Sequence, residues 1–277
     1  MRLRSLLFVP ADRPERFAKA AACGADAIIL DLEDSVAVSR KADARKSVRA
    51  YLQGAVDVIR CVRINPIDSG HLDADIAAAR GADAIVLPKA EGVTSVEHLL
   101  HAWGKDCPPI LPIATETPAA IFALGDYAQV AGDLCGLTWG AEDLPAAIGA
   151  ATSREADGRF TPPYEMARSL MLFAAHAAGV AAIETVYPAI TDHEGLAAYA
   201  ARGDRDGFTG MMAIHPVQVA IINAAFTPDA EAVARAKAIV AAFTASPGVG
   251  ALQFEGRMID APHLRQAMAV LEQKRNR

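Results

Sequence analysis

Eight short apolar runs alternate with alanine-rich stretches of helical period up to Phe226, and this alternation constrains the fold more than any other property of the chain. The runs cover residues 5–9, 27–31, 59–64, 84–87, 110–115, 136–139, 182–186 and 210–214. Most are continuously apolar, as strands buried on both faces are. The helical stretches between and after them cover 14–22, 39–52, 71–80, 95–103, 118–124, 163–178, 192–201 and 216–225, several opening with Pro or a Ser, Thr or Asp cap. Strands separated by helices read as a parallel sheet, and eight such units read as an α/β fold, a closed (β/α)8 TIM barrel. The phrase Gly24-Ala25-Asp26-Ala27-Ile28 returns as Gly81-Ala82-Asp83-Ala84-Ile85, placing a helix stop and a strand start at matching points of two units.

The charged residues follow the same phase. Asp31, Glu33 and Asp34 follow the second run, Arg63 the third, Lys89 the fourth, Glu116 the fifth and Glu142 and Asp143 the sixth. On a barrel these side chains gather at the rim formed by the C-terminal ends of the strands, where barrel enzymes place their chemistry.

After Phe226 the alternation stops. A helix over 228–243, a Gly, Pro and Ser loop over 244–250, an extended piece over 251–257 and a final helix over 262–274 form an extension expected to act as a lid or subunit contact. The expected division is therefore a catalytic barrel over 1–227 and an extension over 228–277.

Composition excludes several classes. With 52% hydrophobic and 22% charged residues the chain is globular and not disordered. No apolar stretch approaches the roughly 18 residues needed to cross a bilayer, and residues 1–10 are too short for a secretory signal, so a cytoplasmic location is expected. A net charge of −6 argues against a nucleic-acid or anionic-membrane surface. Cys23, Cys61, Cys107 and Cys135 are widely spaced and read as free thiols, not a zinc site or disulfides.

Two readings stay open for Glu116 and Asp143: carboxylate ligands of a hard cation such as Mg2+, or caps of the helices that follow. Arg63, flanked by apolar residues, either pairs with one of the acids or forks onto a substrate oxyanion. Lys89 could form a Schiff base, but a structural ion pair suits it better. Asp31, Glu33 and Asp34 need a cation nearby. Arg13 and Arg16, after the first strand, are candidates for phosphate contacts. The basic residues Arg40, Lys41, Arg45 and Lys46 read more simply as a solvated helix face.

Taken in order, Arg4-Ser5-Leu6-Leu7-Phe8-Val9-Pro10, Asp31-Leu32-Glu33-Asp34-Ser35-Val36, Val62-Arg63-Ile64-Asn65, Leu87-Pro88-Lys89, Glu116-Thr117-Pro118, Gly140-Ala141-Glu142-Asp143-Leu144, Ala213-Ile214-His215-Pro216 and Gly256-Arg257-Met258-Ile259-Asp260 resemble the citrate lyase beta subunit family of the HpcH/HpaI aldolase superfamily. Malyl-CoA and citramalyl-CoA lyases are its relatives. The resemblance implies a trimeric barrel that cleaves or forms a carbon–carbon bond in a carboxylated 3-hydroxyacyl-CoA, giving acetyl-CoA and a 2-oxo acid. It implies Glu116 and Asp143 as Mg2+ ligands, with Asp31, Glu33 and Asp34 around them, and Arg63 at the reacting oxyanion. It also implies Asp260 as an acid/base reaching a neighbouring subunit's site, and His215 near the CoA chain. Glu184 departs from the Asp common in the family.

Two rivals remain: a 2-oxo acid aldolase acting on free acids, and a catalytically silent CoA-binding or complex subunit. An alpha subunit and an acyl carrier protein, partners of true citrate lyase beta subunits, are not excluded.

Overall fold

The computed structural model describes residues 1–275. The chain divides into two compact units, Leu3–Asn223 with Met1, and Ala224–Arg277 with Arg2.

The first unit is a (β/α)8 barrel. Its strands are β1 (Ser5–Pro10), β2 (Ala27–Asp31), β3 (Ile59–Arg63), β4 (Ala84–Leu87), β5 (Ile110–Pro112), β6 (Gly136–Thr138), β7 (Ala181–Glu184) and β8 (Gly210–Ala213). All the pairings are parallel and join neighbours in chain order, with β1 also paired to β8. Between β5 and β6 the wall is joined by isolated bridges, Ile110 with Leu134 and Ile113 with Thr138. Pro112 has no N–H to give a ladder, so the run expected through residue 115 continues by single bonds: Ile113 N–H to Leu87 O and Ala114 N–H to Thr138 O, each 2.8 Å.

Helices follow the strands: α1 (Phe17–Ala21), α2 (Lys41–Leu52), α3 (Leu72–Ala79), α4 (Val93–Trp103), α5 (Pro118–Ala123), α6 (Asp143–Ile148), α7 (Pro162–Ala178), α8 (His193–Asp206) and α9 (Pro216–Ala225). Two of these depart from the sequence reading. The short helix α6 begins at Asp143 itself, and α8 runs on to Asp206, where Gly207 in the left-handed conformation ends it. A 3-10 segment at Leu124–Asp133 was also not foreseen.

Strand alternation decides what fills the barrel. Leu6, Ile29, Cys61, Val86, Leu111, Ile183 and Met212 belong to one interior cluster. Each fully buried aliphatic side chain of this kind contributes roughly 1.5 to 3 kcal/mol. Two residues further along β2 and β3, the same inward parity brings up Asp31 and Arg63, which are register partners across the two strands. The chemistry therefore sits directly on the packed core.

At the opposite rim, Gly24 and Gly81 both take positive φ, 86° and 96°, a conformation glycine reaches without strain. The Asp of each repeated phrase then clamps the neighbouring strand. Asp26 accepts from Arg4 N–H at 2.8 Å and from its guanidinium at 2.6 Å. Asp83 accepts from Arg60 N–H at 2.8 Å and from Nε at 3.3 Å.

The second unit holds α10 (Ala230–Ala245), an antiparallel hairpin of β9 (Ala251–Phe254) and β10 (Arg257–Asp260), and α11 (Ala261–Arg275). The sequence reading expected one extended piece there; the turn at Glu255 and Gly256, both at positive φ, makes it a hairpin. Its small core joins Ala236, Ile239, Ile259 and Ala267. The four cysteines are free, and Cys61 is fully buried.

Candidate active site

Arg63, at the end of β3, is the centre of the charged cluster. Its Nε and Nη2 fork onto the two oxygens of Asp31 at 2.6 and 2.7 Å, and Nη1 reaches Glu33 Oε2 at 2.8 Å. The guanidinium also lies over the Phe8 ring, 4.8 Å from its centroid. Burial works against the charge on Arg63, but Asp31 and Glu33 outweigh it and hold the guanidinium more firmly protonated than usual. For Asp31, burial likewise opposes ionisation, and the Arg63 fork overcomes it, holding the carboxyl below its ordinary range. The pairing weighed for Arg63 from sequence is present, with two carboxylates and not one.

Lys89 ties the acids of different strands together. Its ammonium lies 2.6 Å from Glu33 Oε1, 3.3 Å from Asp143 Oδ1 and 3.8 Å from Asp34 Oδ2. Its backbone N–H donates to Glu116 Oε2 at 2.6 Å. The residue takes φ 49°, an uncommon conformation for a side chain of this size. Its acid neighbours raise its pKa despite burial, so the amine is held as a cation and not as a Schiff-base nucleophile.

Glu116 is buried at 4% exposure and has its carboxyl pushed up to about 8, first by burial and then by the charge of Asp143. The capping reading fails for it. Thr117 is the N-cap of α5, its hydroxyl accepting from Ala120 N–H at 3.1 Å. Asp143 lies in the first turn of α6 with its carboxylate beside Lys89. Gly140 is cut to fit: a Cβ there would stand 2.6 Å from Glu116 Cγ. Thr115 fixes that glycine, its hydroxyl accepting from Gly140 N–H at 3.1 Å.

Two supports were not legible in the sequence. Lys41, read as part of a solvated face, is buried and donates to the carbonyls of Leu32 and Glu33 at 2.8 and 2.9 Å, fixing the loop that carries Glu33. Glu184, fully buried, accepts from Trp139 Nε1, from Arg168 Nε at 2.7 Å and from the Tyr199 hydroxyl at 2.9 Å. It thereby holds the residue preceding Gly140.

A cavity of about 270 Å3 opens over this cluster and is lined by Asp31, Asp34, Arg63, Glu116 and Asp143, with Phe8, Ile113 and Met212 among its apolar walls. The structure thus brings together Asp31, Glu33, Asp34, Arg63, Glu116 and Asp143. Arg13 and Arg16 are exposed on the turn after β1, with Arg13 Nε 3.8 Å from Asp12. His215 is exposed after β8, its Nδ1 accepting from Val217 N–H at 3.3 Å. None of these three lines the cavity. Asp260 ends β10 in the second unit, where its Oδ1 lies 2.6 Å from His263 Nδ1.

The donor set fits a magnesium ion. Two carboxylates that face one cavity, one buried and reluctant to ionise beside the other, are relieved by a divalent cation, and Mg2+ takes one or two carboxylates with waters completing its shell. Among the described residues no group of three or more His, Cys, Asp or Glu side chains is arranged to hold a metal.

Comparison with known proteins agrees with this architecture. A citrate lyase subunit beta-like protein of Mycobacterium tuberculosis is 38% identical over 268 residues, 96% of this chain and 93% of that protein. An L-malyl-CoA/beta-methylmalyl-CoA lyase of Cereibacter sphaeroides is 31% identical over 306 residues, 98% of this chain and 94% of that protein. The structure of the protein CitE from Mycobacterium tuberculosis, in complex with magnesium, acetoacetate and coenzyme A, matches with a TM-score of 0.86 and 36% identity over 98% of both chains. The sequence signature of the HpcH/HpaI aldolase/citrate lyase family covers residues 4–216. The chain belongs to the HpcH/HpaI aldolase/citrate lyase family.

Proposed function

We propose that this protein is a Mg2+-dependent carbon–carbon lyase that cleaves, or forms by condensation, a short carboxylated 3-hydroxyacyl-CoA. The observation that carries the reading is the meeting of Glu116 and Asp143 on Lys89, over one cavity with Arg63. The family supports it, since relatives are named as malyl-CoA lyase and citrate lyase beta-like proteins, and one relative's structure holds magnesium and coenzyme A.

In this reading Glu116 and Asp143 hold the ion, and when bound it supplies Lewis acidity toward an oxo acid and balances the surplus of acids. Arg63, fixed by Asp31 and Glu33, faces the cavity as a preorganised cation opposite the charge that develops when the bond breaks. Lys89 keeps Glu33, Glu116 and Asp143 at their stations. The apolar walls exclude water, which strengthens each of these interactions. Asp260 moves a proton at the acetyl carbon from a neighbouring subunit of a homotrimer. Arg13, Arg16 and His215 are proposed contacts for the CoA arm. The thioester distinguishes this reading from an aldolase of free hydroxy-oxo acids.

The test is a magnesium-dependent cleavage assay on malyl-CoA, citramalyl-CoA and citryl-CoA beside the matching free acids. Release of acetyl-CoA from at least one thioester, abolished in Glu116→Gln, is the expected result. Activity on free acids alone, or none on any substrate from folded protein, rejects the reading. For the subunit arrangement, mixed oligomers of Asp260→Asn and Glu116→Gln should regain activity that neither variant has alone.

A further inference from the structure

Glu184 is fully buried and does not line the cavity, yet its carboxylate receives four donors. Strand alternation sends Ile183 of β7 into the barrel interior and the next side chain among the helices. There Oε2 accepts from Arg168 Nε on α7 at 2.7 Å. Oε1 accepts from the Tyr199 hydroxyl on α8 at 2.9 Å, from Thr185 N–H at 3.0 Å and from Trp139 Nε1, just past β6. Arg168 is itself held, with Nη1 2.8 Å from Asp206 Oδ2 and the guanidinium over the Phe208 ring at 4.6 Å. Turning the carboxylate would therefore break several buried bonds at once, which makes it a fixed anchor.

Two of those donors lead into the cavity. Thr185 lines it, and Trp139 is followed by Gly140, Ala141, Glu142 and Asp143, which line it too. Strand ladders do not set the place of this stretch. The β6–β7 register ends at Thr138 with Ile183, and isolated bridges join β5 to β6. Beyond Thr138, side-chain clasps take over. On one side the Thr115 hydroxyl accepts from Gly140 N–H at 3.1 Å and donates to its carbonyl at 3.3 Å. On the other, Glu184 takes the Trp139 indole, whose ring packs edge-on against Phe160 at 5.0 Å. Between the clasps Gly140 lies so close to Glu116 that a Cβ would stand 2.6 Å from its Cγ and 3.0 Å from its Oε1. A small drift of this stretch thus presses on Glu116 or frees it, and carries Asp143 along three residues later. Mg2+ tolerates little of that, since it demands near-ideal octahedral geometry.

We propose that Glu184 is a positioning residue for the metal pair: acting through the Trp139 indole from behind the barrel wall, it sets the approach of Gly140 to Glu116 and so the separation of Glu116 and Asp143. The inference rests on the assignment of that pair to Mg2+ in the lyase reading, and adds a residue that touches neither ion nor substrate.

The experiment titrates Mg2+ alone, by calorimetry, into the whole chain as wild type, Trp139→Phe, Glu184→Gln, the double variant and Tyr199→Phe. The Mg2+ concentration giving half-maximal thioester cleavage is measured on each. Trp139→Phe keeps a ring against Phe160 but lacks the N–H, so it cuts the link with the least disturbance of packing. It should weaken Mg2+ binding about tenfold or more, the scale for groups that orient metal ligands. Half-maximal Mg2+ should rise by the same factor, while kcat at saturating Mg2+ returns close to wild type. Glu184→Gln should weaken Mg2+ at least as much, and the double variant no further than Glu184→Gln alone, because both cut one link. Tyr199→Phe removes a donor on the helix side and should lower the melting temperature with Mg2+ affinity unchanged. If Glu184→Gln does not fold, Trp139→Phe beside Tyr199→Phe decides the matter. Wild-type Mg2+ affinity in folded Trp139→Phe, or an equal loss in Tyr199→Phe, overturns the inference while leaving the lyase reading intact. Additive losses in the double variant overturn the route through the indole. A wild-type protein that takes up no Mg2+ sinks the metal assignment, and the inference with it.

Discussion

The two rims of the barrel use the same residue types to opposite ends. At the N-terminal rim each acid has its own arginine: Asp26 takes Arg4 and Asp83 takes Arg60. At the C-terminal rim Asp31, Glu33, Asp34, Glu116 and Asp143 share Arg63 and Lys89. Balanced pairs at partly exposed positions satisfy charge locally and fasten strand to strand. A surplus of acids above a dry core stores unfavourable charge that a divalent cation can discharge. The difference teaches that a charge cluster's count, and not its mere presence, separates a fastening from a site.

Removing one acid of the surplus should have the largest effect. Glu116→Gln should lower kcat/KM by roughly 10³-fold, the scale of losing several kcal/mol of charge stabilisation. It should also weaken magnesium binding by calorimetry while the metal-free protein melts no lower than wild type. Loss of melting temperature with magnesium affinity intact would place Glu116 with the fastenings.

Arg63→Lys comes next. Lysine keeps the charge but cannot span both oxygens of Asp31 and also reach Glu33. Turnover on the best thioester should fall by about 10² to 10³. Because the pair is buried, a stability loss of about 1 to 3 kcal/mol should accompany it. Wild-type turnover in a variant that shows only the stability loss would make Arg63 a fastening after all.

The third effect is a pH window. The Glu116 carboxyl, at about 8 when folded against 4.5 in the unfolded chain, binds more protons in the native state between those values. Stability without metal should therefore be fully present below about 4.5 and decline as pH rises through 8, by on the order of a few kcal/mol. Thermal melts in chelator from pH 5 to 9 should show that decline, and saturating magnesium should flatten it. A flat profile in chelator would mean that the surplus is not felt.

The smallest effects belong to the opposite rim. Asp26→Asn and Asp83→Asn should each cost about 1 kcal/mol or less, as partly exposed pairs do. The two costs should add, because the clamps share no partner, and kcat should not change. Denaturant midpoints and turnover measured on the double variant check both.

Much of this contrast was visible in the residue order. Strand parity put Asp31 and Arg63 above Ile29 and Cys61, and the apolar runs placed each acid at one end of its strand. The repeated Gly-Ala-Asp phrase announced the other rim, though not that its Asp seizes the arginine of the preceding strand. What stayed hidden depends on distance across the fold. The left-handed backbone of Lys89, which lets one residue reach Glu116 and Glu33 together, has no local signal, since lysine does not favour it. Lys41 looked like any charged residue on a helix, because its burial comes from the loop folded over it. The inward aim of Glu184 needed Trp139, Arg168 and Tyr199 from three other segments.

The sparse joint between β5 and β6 bears on how the protein breathes. Isolated bridges connect this pair where the others have ladders, and Glu116 and Asp143 stand just beyond these two staves. Local opening follows the weakest stitching, so the amides of Ala114 and Cys135, which close the seam onto Thr138 and Ile110, should trade hydrogen for deuterium before their neighbours in the ladders do. An ion gripped by both acids would then act as a rivet across the seam, and its arrival could be timed by the slowing of those two amides.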